Sequence, residues 1–367
     1  MAGLDLDIML ADPAMLERDL ADARARAIRV TADLDGERLL GPKLTIVNPP
    51  LWEIGHVSWF QERWCLRLRA DGSLADSILT GADALYDSAT VAHDTRWNLP
   101  LPDLKATRAY GARVLELVRE RLAREPEREA LQYFVRLATF HEDMHAEAFH
   151  YTRQTLGYSD PFNVNAVQES DKADIEILGG KFMLGAGPSK NFVFDNEKWA
   201  HDVEIAPFRI ARSVVTNAQY LAFVEAGGAA PRYWKQLGGR WQQQRFDRSL
   251  PLAPHEPVRH VSWNEAQAYC AWAKRRLPTE AEWECASAKL RYGRVWEWTE
   301  SAFQPYPGFV LDPYKEYSEP WFGTHKVLRG GSFATPERLM RPTFRNFYTP
   351  ERADFFAGFR TCAVSQG

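Results

Sequence analysis

Residues 134–152 read FVRLATFHEDMHAEAFHYT, and the pair His141 and His145 inside this stretch decides how the first half of the chain is read. Four residues apart, the two imidazoles project from the same face of a helix, one above the other. Phe134, Ala138, Ala148 and Thr152 continue that face, so it is expected to point into a packed interior. His150 lies about half a turn away from His141 at roughly 100° per residue, and is expected to face elsewhere.

The helix that carries this pair should run from about Pro126 to Leu156. Three more precede it. Leu16, Leu20, Ala23, Ala27, Val30 and Leu34 recur three and four apart, the stripe of an amphipathic helix. Asn48, Pro49 and Pro50 announce a second helix, an N-cap followed by prolines tolerated in the first turn. That helix carries Trp52, His56 and Phe60 at i, i+4 spacing. A third covers about Asp103 to Glu125 with Val114, Leu117, Val118 and Leu122 inward. Four helices predict a bundle, in whose interior His56 would meet the other two histidines. One inward histidine is ordinarily a hydrogen-bonded core residue, but burying a stacked pair costs desolvation that a metal offsets. Glu142, Asp143 and Glu147 are candidate acceptors for the ring N–H groups, and at least two of them read as solvated helix surface. Three neutral imidazoles suit either zinc or ferrous iron and do not choose between them.

Helical periodicity stops after residue 157, and the polar, turn-rich stretch 158–175 is expected to link a domain of residues 1–157 to one of 176–367. Beyond it, short runs such as KFML, FRIA, HVSW and KVLRGG read as strands, with one helix over about Asn264 to Lys274. This predicts an α+β domain rich in loops.

With 45% hydrophobic and 26% charged residues in 367, the chain has the profile of a globular protein. A formal charge of −4 offers no electrostatic footprint for nucleic acid or an anionic membrane, which points to small-molecule partners. No basic leader precedes an apolar stretch at the N-terminus and no run of about eighteen apolar residues occurs, so a cytoplasmic location is expected. Cys65, Cys270, Cys285 and Cys362 lack CxxC spacing, which fits reduced thiols and leaves His, Asp or Glu to hold any metal. Most of the thirteen Trp and thirteen Tyr fall in the second half, where an aromatic-rich site or surface is expected.

The second half also carries an ordered series of motifs: GGKFMLG from Gly179, FDNEKWAH from Phe194, VVTNAQYLAFVEAGG from Val214, HVSWNEAQAYCAWA from His260, RLPTEAEWE from Arg276, VWEWT from Val295, VLRGGSF from Val327 and AGFR from Ala357. In this order they resemble the formylglycine-generating-enzyme (sulfatase-modifying factor) domain, a variant of the C-type-lectin-like fold. The first half, with His56 in WEIGHVSWF and His141 and His145 in HEDMHAE, resembles the DinB-like helical bundle. Joined in this order, the two are similar to the sulfoxide synthases of ergothioneine biosynthesis and to selenoneine synthase. Formylglycine generators use cysteines in this domain to handle copper and substrate. Here Thr299 follows WEW, which argues against the sulfatase-modifying reaction, and the short passage from Glu284 to Val295 implies a more open cleft.

The resemblance implies a mononuclear non-haem Fe(2+) enzyme with His56, His141 and His145 as metal ligands. It implies that hercynine, a chalcogen donor and O2 are the substrates, joined at the imidazole carbon between the two ring nitrogens. Tyr306 in QPYPGF stands where the family keeps an active-site tyrosine, with Tyr314 and Tyr317 as weaker candidates. In FRNFYTPER, Asn346 and Phe347 match hercynine contacts, with Arg345 beside them. Arg96, Arg352 and Arg360 are candidates for the second substrate, although Arg360 in AGFR is at least as well explained as a structural ion pair. NPPLWEIGHVSWFQERWCLR from Asn48 and AHDTRWNLPLPD from Ala92 look closer to selenoneine synthases. Met144 stands where ergothioneine synthases often place Gln, and Phe347 where they place Trp. A selenosugar is therefore the expected donor. The alternatives are an ergothioneine sulfoxide synthase using γ-glutamylcysteine or cysteine, a DinB-type metal-dependent thiol transferase, and a non-catalytic lectin-like binding protein.

Overall fold

The computed structural model describes residues 9–162, 173–189 and 192–364. Most of the N-terminal stretch weighed as a leader, and residues 163–172 of the expected linker, lie outside these described residues. The chain divides into two compact units, Met1–Thr152 with Pro188–Phe192, and Arg153–Gly187 with Val193–Gly367. No helix among the described residues is long and apolar enough to cross a membrane.

The first unit is helical, with α1 (Pro13–Val30), α2 (Pro50–Glu62), a short α3 (Ala82–Tyr86), α4 (Leu104–Arg124) and α5 (Glu129–Leu156). The division between units falls inside α5 rather than at residue 157. The α1 stripe is buried as its periodicity predicts, through Leu16, Leu20, Ala23, Ala27 and Val30. Asp12 caps α1 by accepting from the Ala14 amide, and Asp103 caps α4 by accepting from the Ala106 amide at 2.7 Å. The start of α2 differs from expectation. Pro49 takes the cap position, and Asn48 turns its Oδ1 to accept from Arg96 at 2.7 Å instead. The core of α2 is buried nearly all round, and Gly55 explains part of that: a Cβ there would meet the Tyr86 ring at 2.2 Å. Only glycine lets α3 close on α2 this tightly.

The second unit is α+β. Its strands are β1 (Asp174–Ile177), β2 (Gly180–Leu184), β3 (His201–Ile205), β4 (Phe208–Ala211), β5 (Trp234–Leu237), β6 (Arg240–Arg245), β7 (Arg248–Pro251), β8 (Arg275–Arg276), β9 (Trp296–Ala302), β10 (Lys326–Arg329), β11 (Asn346–Tyr348), β12 (Ala357–Phe359) and β13 (Cys362–Ala363). They form sheets in the orders β1-β4-β13-β8, β11-β10-β9-β12, β2-β3 and β5-β6-β7. The first strand begins at Asp174, inside the stretch expected as linker. HVSW, expected as a strand, is not one. His260 sits at φ 63° and Ser262 caps a helix. Instead of one helix there are three, α6 (Asn217–Glu225), α7 (Trp263–Ala273) and α8 (Glu280–Ala286). Each opens with a capping box, Thr216 with Gln219, Ser262 with Glu265 and Thr279 with Glu282, a signal present in the sequence at all three places. All four cysteines are free.

Ile177, Ile205, Phe208, Ile210, Trp283 and Cys362 share one apolar cluster in this unit. Beside it, the motifs VWEWT and AGFR meet in a fully buried ion pair. Arg360 donates to both oxygens of Glu297, and Glu297 also accepts from the Trp283 indole at 2.7 Å. The remaining Arg360 hydrogens go to the carbonyls of Ala211, Arg212 and Arg291 at 2.6–2.8 Å. Arg360 is thus a structural tie, as weighed for it, and has no donor left for a substrate. Removing one member of a buried pair strands the other charge and costs about 3–5 kcal/mol. Arg360→Leu should therefore lower unfolding stability by that amount in urea titrations, and a loss under about 1 kcal/mol would show that the pair is dispensable.

Candidate metal centre

The last carbonyls of a helix have no partner within it. Those of α3 are taken by side chains of α2: the Leu85 oxygen accepts from the Trp52 indole at 2.6 Å, and the Tyr86 oxygen lies 2.8 Å from His56 Nδ1. The second contact puts the proton on Nδ1 of His56 and leaves Nε2 as a free lone pair. His145 is fixed in the same way, its Nδ1 lying 2.6 Å from Glu53 Oε1. His141 stacks on Phe60, with ring centroids 3.6 Å apart. The three rings gather with centroids 4.5–5.1 Å apart, and one ring nitrogen from each lies within 4.8 Å of the others.

Burial holds the imidazoles of His56 and His141 well below the ordinary histidine range, each helped by the His145 ring beside it. Both are neutral at pH 7, the state a metal ligand needs. His150 is buried but is not one of the three rings that converge. The histidines are buried or half-buried, and none of the three lines the partly open space between the long helices. Ile54 and Ser58 line that space, and each lies about 160° around α2 from His56 at 100° per residue.

Glu142, Asp143 and Glu147 are all buried, which corrects the expectation of solvated surface for at least two of them. Glu142 pairs with Arg24 on α1 rather than with a ligand histidine. The carboxylate that does reach one of the three clustered histidines is Glu53, which sequence reasoning missed. Its signal was present: Glu53 stands three residues before His56, one turn along the same helix.

Arg96 lies over the Trp52 ring at 3.9 Å, and Trp52 stacks on His56 at 4.8 Å, so guanidinium, indole and imidazole form one column. Arg96 also donates to Asn48 and to the Val91 carbonyl at 3.1 Å, while its buried Nε has no acceptor. Met144 precedes His145 on α5 and is half-buried.

In the second unit, Tyr306 and Arg345 fall in one cluster. The Tyr306 hydroxyl accepts from Arg329 at 3.0 Å and donates to Glu280 at 3.3 Å, and the Arg345 guanidinium covers its ring at 4.1 Å. Burial, reinforced by Glu280, pushes the Tyr306 phenol well above its ordinary value, so it keeps its proton. Burial works the other way on Glu280, but Arg345 and Arg329 prevail and hold that carboxyl below its usual range. Arg345 is 1% exposed and donates to Glu280, to the Asn196 carbonyl and to the Gln304 carbonyl. Almost none of its hydrogen-bonding capacity is left for a ligand. Asn346 and Phe347 sit on β11, half-buried, with Phe347 stacked on Phe303 at 4.0 Å. Arg352 pairs with Asp354 at 2.9 Å and covers the Tyr348 ring at 4.5 Å.

The sulfatase-modifying factor enzyme 1-like domain family matches residues 161–293 and 291–364, and the DinB superfamily matches residues 19–149. Hercynine oxygenase of Mycolicibacterium thermoresistibile is 32% identical over 95% of this chain and 94% of its own length. Hercynine oxygenase of Mycobacterium tuberculosis is 31% identical over 96% of this chain and 99% of its own. A formylglycine-generating enzyme of Streptomyces coelicolor is 28% identical over 53% of this chain and 90% of its own length. Matches of 31–32% identity over 95–96% of this chain, which itself carries the DinB match first and the sulfatase-modifying factor match second, show that it belongs to the hercynine oxygenase family.

Proposed function

We propose that this chain is a ferrous, O2-dependent enzyme that joins a chalcogen donor to the imidazole carbon between the two ring nitrogens of hercynine, with a selenosugar as the donor. The observation that carries this reading is the convergence of His56, His141 and His145 in a chain of this family. The donor set fits iron. Two of the imidazoles are held in the tautomer that offers Nε2, and three neutral nitrogens leave coordination positions open. When bound, ferrous iron supplies electrons to O2 and a position for a soft donor anion.

In this reading the remaining residues bind, orient and move protons. Tyr306 holds a proton at its phenolic oxygen, with Arg329 and Glu280 fixing the hydroxyl and Arg345 fixing the ring, so Arg345 positions Tyr306 rather than touching substrate. Phe347 and Asn346 offer an aromatic face and an amide, the chemistry that suits a quaternary ammonium and a carboxylate on one small molecule. Arg96, Met144 and Arg352 are assigned to the donor. Support for selenium comes from the stretches from Asn48 and from Ala92, which resemble selenoneine synthases; Asn48 and Trp52 of the first contact Arg96 of the second. A selenol is also more acidic than a thiol, whose ordinary value is roughly 8.5, so it arrives as the anion. γ-Glutamylcysteine or cysteine is the second reading, favoured by the end-to-end match to oxygenases that share the hercynine chemistry.

Anaerobically iron-loaded protein, given hercynine, O2 and equal concentrations of a selenosugar and γ-glutamylcysteine, should yield mainly the selenium product by mass spectrometry. A predominantly sulfur product moves the chain to the second reading, and no hercynine adduct from either donor removes both.

Iron stoichiometry should be about one per chain and should vanish in His141→Ala and His145→Ala, while His150→Ala keeps it. Glu53→Gln, which replaces the carboxylate on His145 with an amide, should weaken iron binding about 10–100-fold. Full occupancy in all of these variants would remove the assignment.

Tyr306→Phe loses only the phenolic hydroxyl, so iron and hercynine binding should persist while turnover falls by about 10²–10⁴. Unchanged rate and product distribution would leave Tyr306 with packing alone.

A further inference from the structure

The space between α1, α2, α4 and α5 is not filled. It forms a partly open cavity of about 120 Å³. Natural cores seldom leave a void larger than a water molecule, so the residues around it are informative. The walls are apolar, with Ala27 and Ile28 from α1, Ile54 and Val57 from α2, Leu115 from α4 and Phe149 from α5. Where Gly111 of α4 meets α1 and α2 the helices are closely packed. At Gly111 even a methyl group would stand 2.6 Å from Ser58 Oγ and 2.7 Å from Arg24 Nη1.

Two guanidiniums border the cavity and differ in their partners. Arg24 is neutralised by Glu142 through two hydrogen bonds, and also donates to the Gly111 carbonyl at 2.8 Å and to Gln61. Arg108 has no carboxylate partner within 4.0 Å among the described residues. Its Nη2 donates to the Thr31 carbonyl at 3.0 Å, and its buried Nε has no acceptor. An apolar chamber bordered by a cation that no carboxylate neutralises matches an amphipathic anion. An engineered apolar cavity of comparable size in another protein stays dry and takes up benzene, which sets the scale of the body that fits.

We propose that this cavity is a binding site, separate from the histidine cluster, for a small carboxylate with an aromatic or branched aliphatic body, the body in the chamber and the carboxylate against the Arg108 guanidinium that borders it. This inference does not depend on the reaction assigned above. Ile54 precedes His56 by two and Ser58 follows it by two, so an occupant braces α2 from the face opposite the histidine.

Benzoate and benzene serve as probes on the full-length, iron-loaded protein, read by thermal shift and by ligand-observed NMR. Benzoate should bind and raise the melting temperature. Arg108→Met should weaken benzoate at least tenfold while benzene binding persists, and Ala27→Leu should abolish both. If Ala27→Leu does not fold, Ala112→Leu at the exposed rim of the cavity replaces it. Benzoate binding that is absent in the unmodified protein, unchanged in Arg108→Met or unchanged in the filled variant overturns the proposal, as does binding of benzene without benzoate.

Discussion

Two hydrogen bonds to the far side of imidazole rings govern the candidate centre. The Tyr86 carbonyl fixes His56 and the Glu53 carboxylate fixes His145, so the protons sit on Nδ1 and the Nε2 lone pairs are free to converge. Neither acceptor is incidental to the fold. Tyr86 ends a short helix whose carbonyls have no helical partner, and Gly55 lets that helix close on α2. The proposed metal site of the unit thus rests on a helix terminus, a glycine and a buried carboxylate, with the burial itself keeping His56 and His141 neutral.

The second unit uses buried charge differently. Glu297 and Arg360 are both fully enclosed, and every hydrogen of the guanidinium reaches an oxygen, which is the condition under which a buried pair is tolerated. A second network places two arginines and Glu280 around one phenol. In that setting Tyr306 remains protonated, which the proton-holding role proposed for it requires.

The helical half was largely legible in the sequence, because period 3.6 burial writes itself into spacing and because i, i+4 histidines announce a shared face. What was not legible follows from side chains whose partners lie far away in sequence. Glu142 looked like surface because charged residues usually are, and only the fold brings Arg24 to it from 118 residues away. Asn48 had the residue type of an N-cap, but Arg96 competes for its oxygen. In the second half, irregular backbone defeats periodicity. HVSW has strand composition, yet Ser262 starts a helix there, and the capping boxes at Thr216 and Thr279 were readable signals that composition masked. Arg345, adjacent to the expected hercynine contacts, is drawn inward by Glu280, a partner 65 residues away.

The account stands on one claim, that three imidazoles hold iron in the helical unit. Crystals grown anaerobically with ferrous iron, with diffraction recorded on either side of the iron absorption edge, test it most directly. A single anomalous peak is predicted between one ring nitrogen each of His56, His141 and His145, with the Tyr86 carbonyl still on Nδ1 of His56 and Glu53 on Nδ1 of His145. No peak there, or a peak coordinated by other residues, would contradict it.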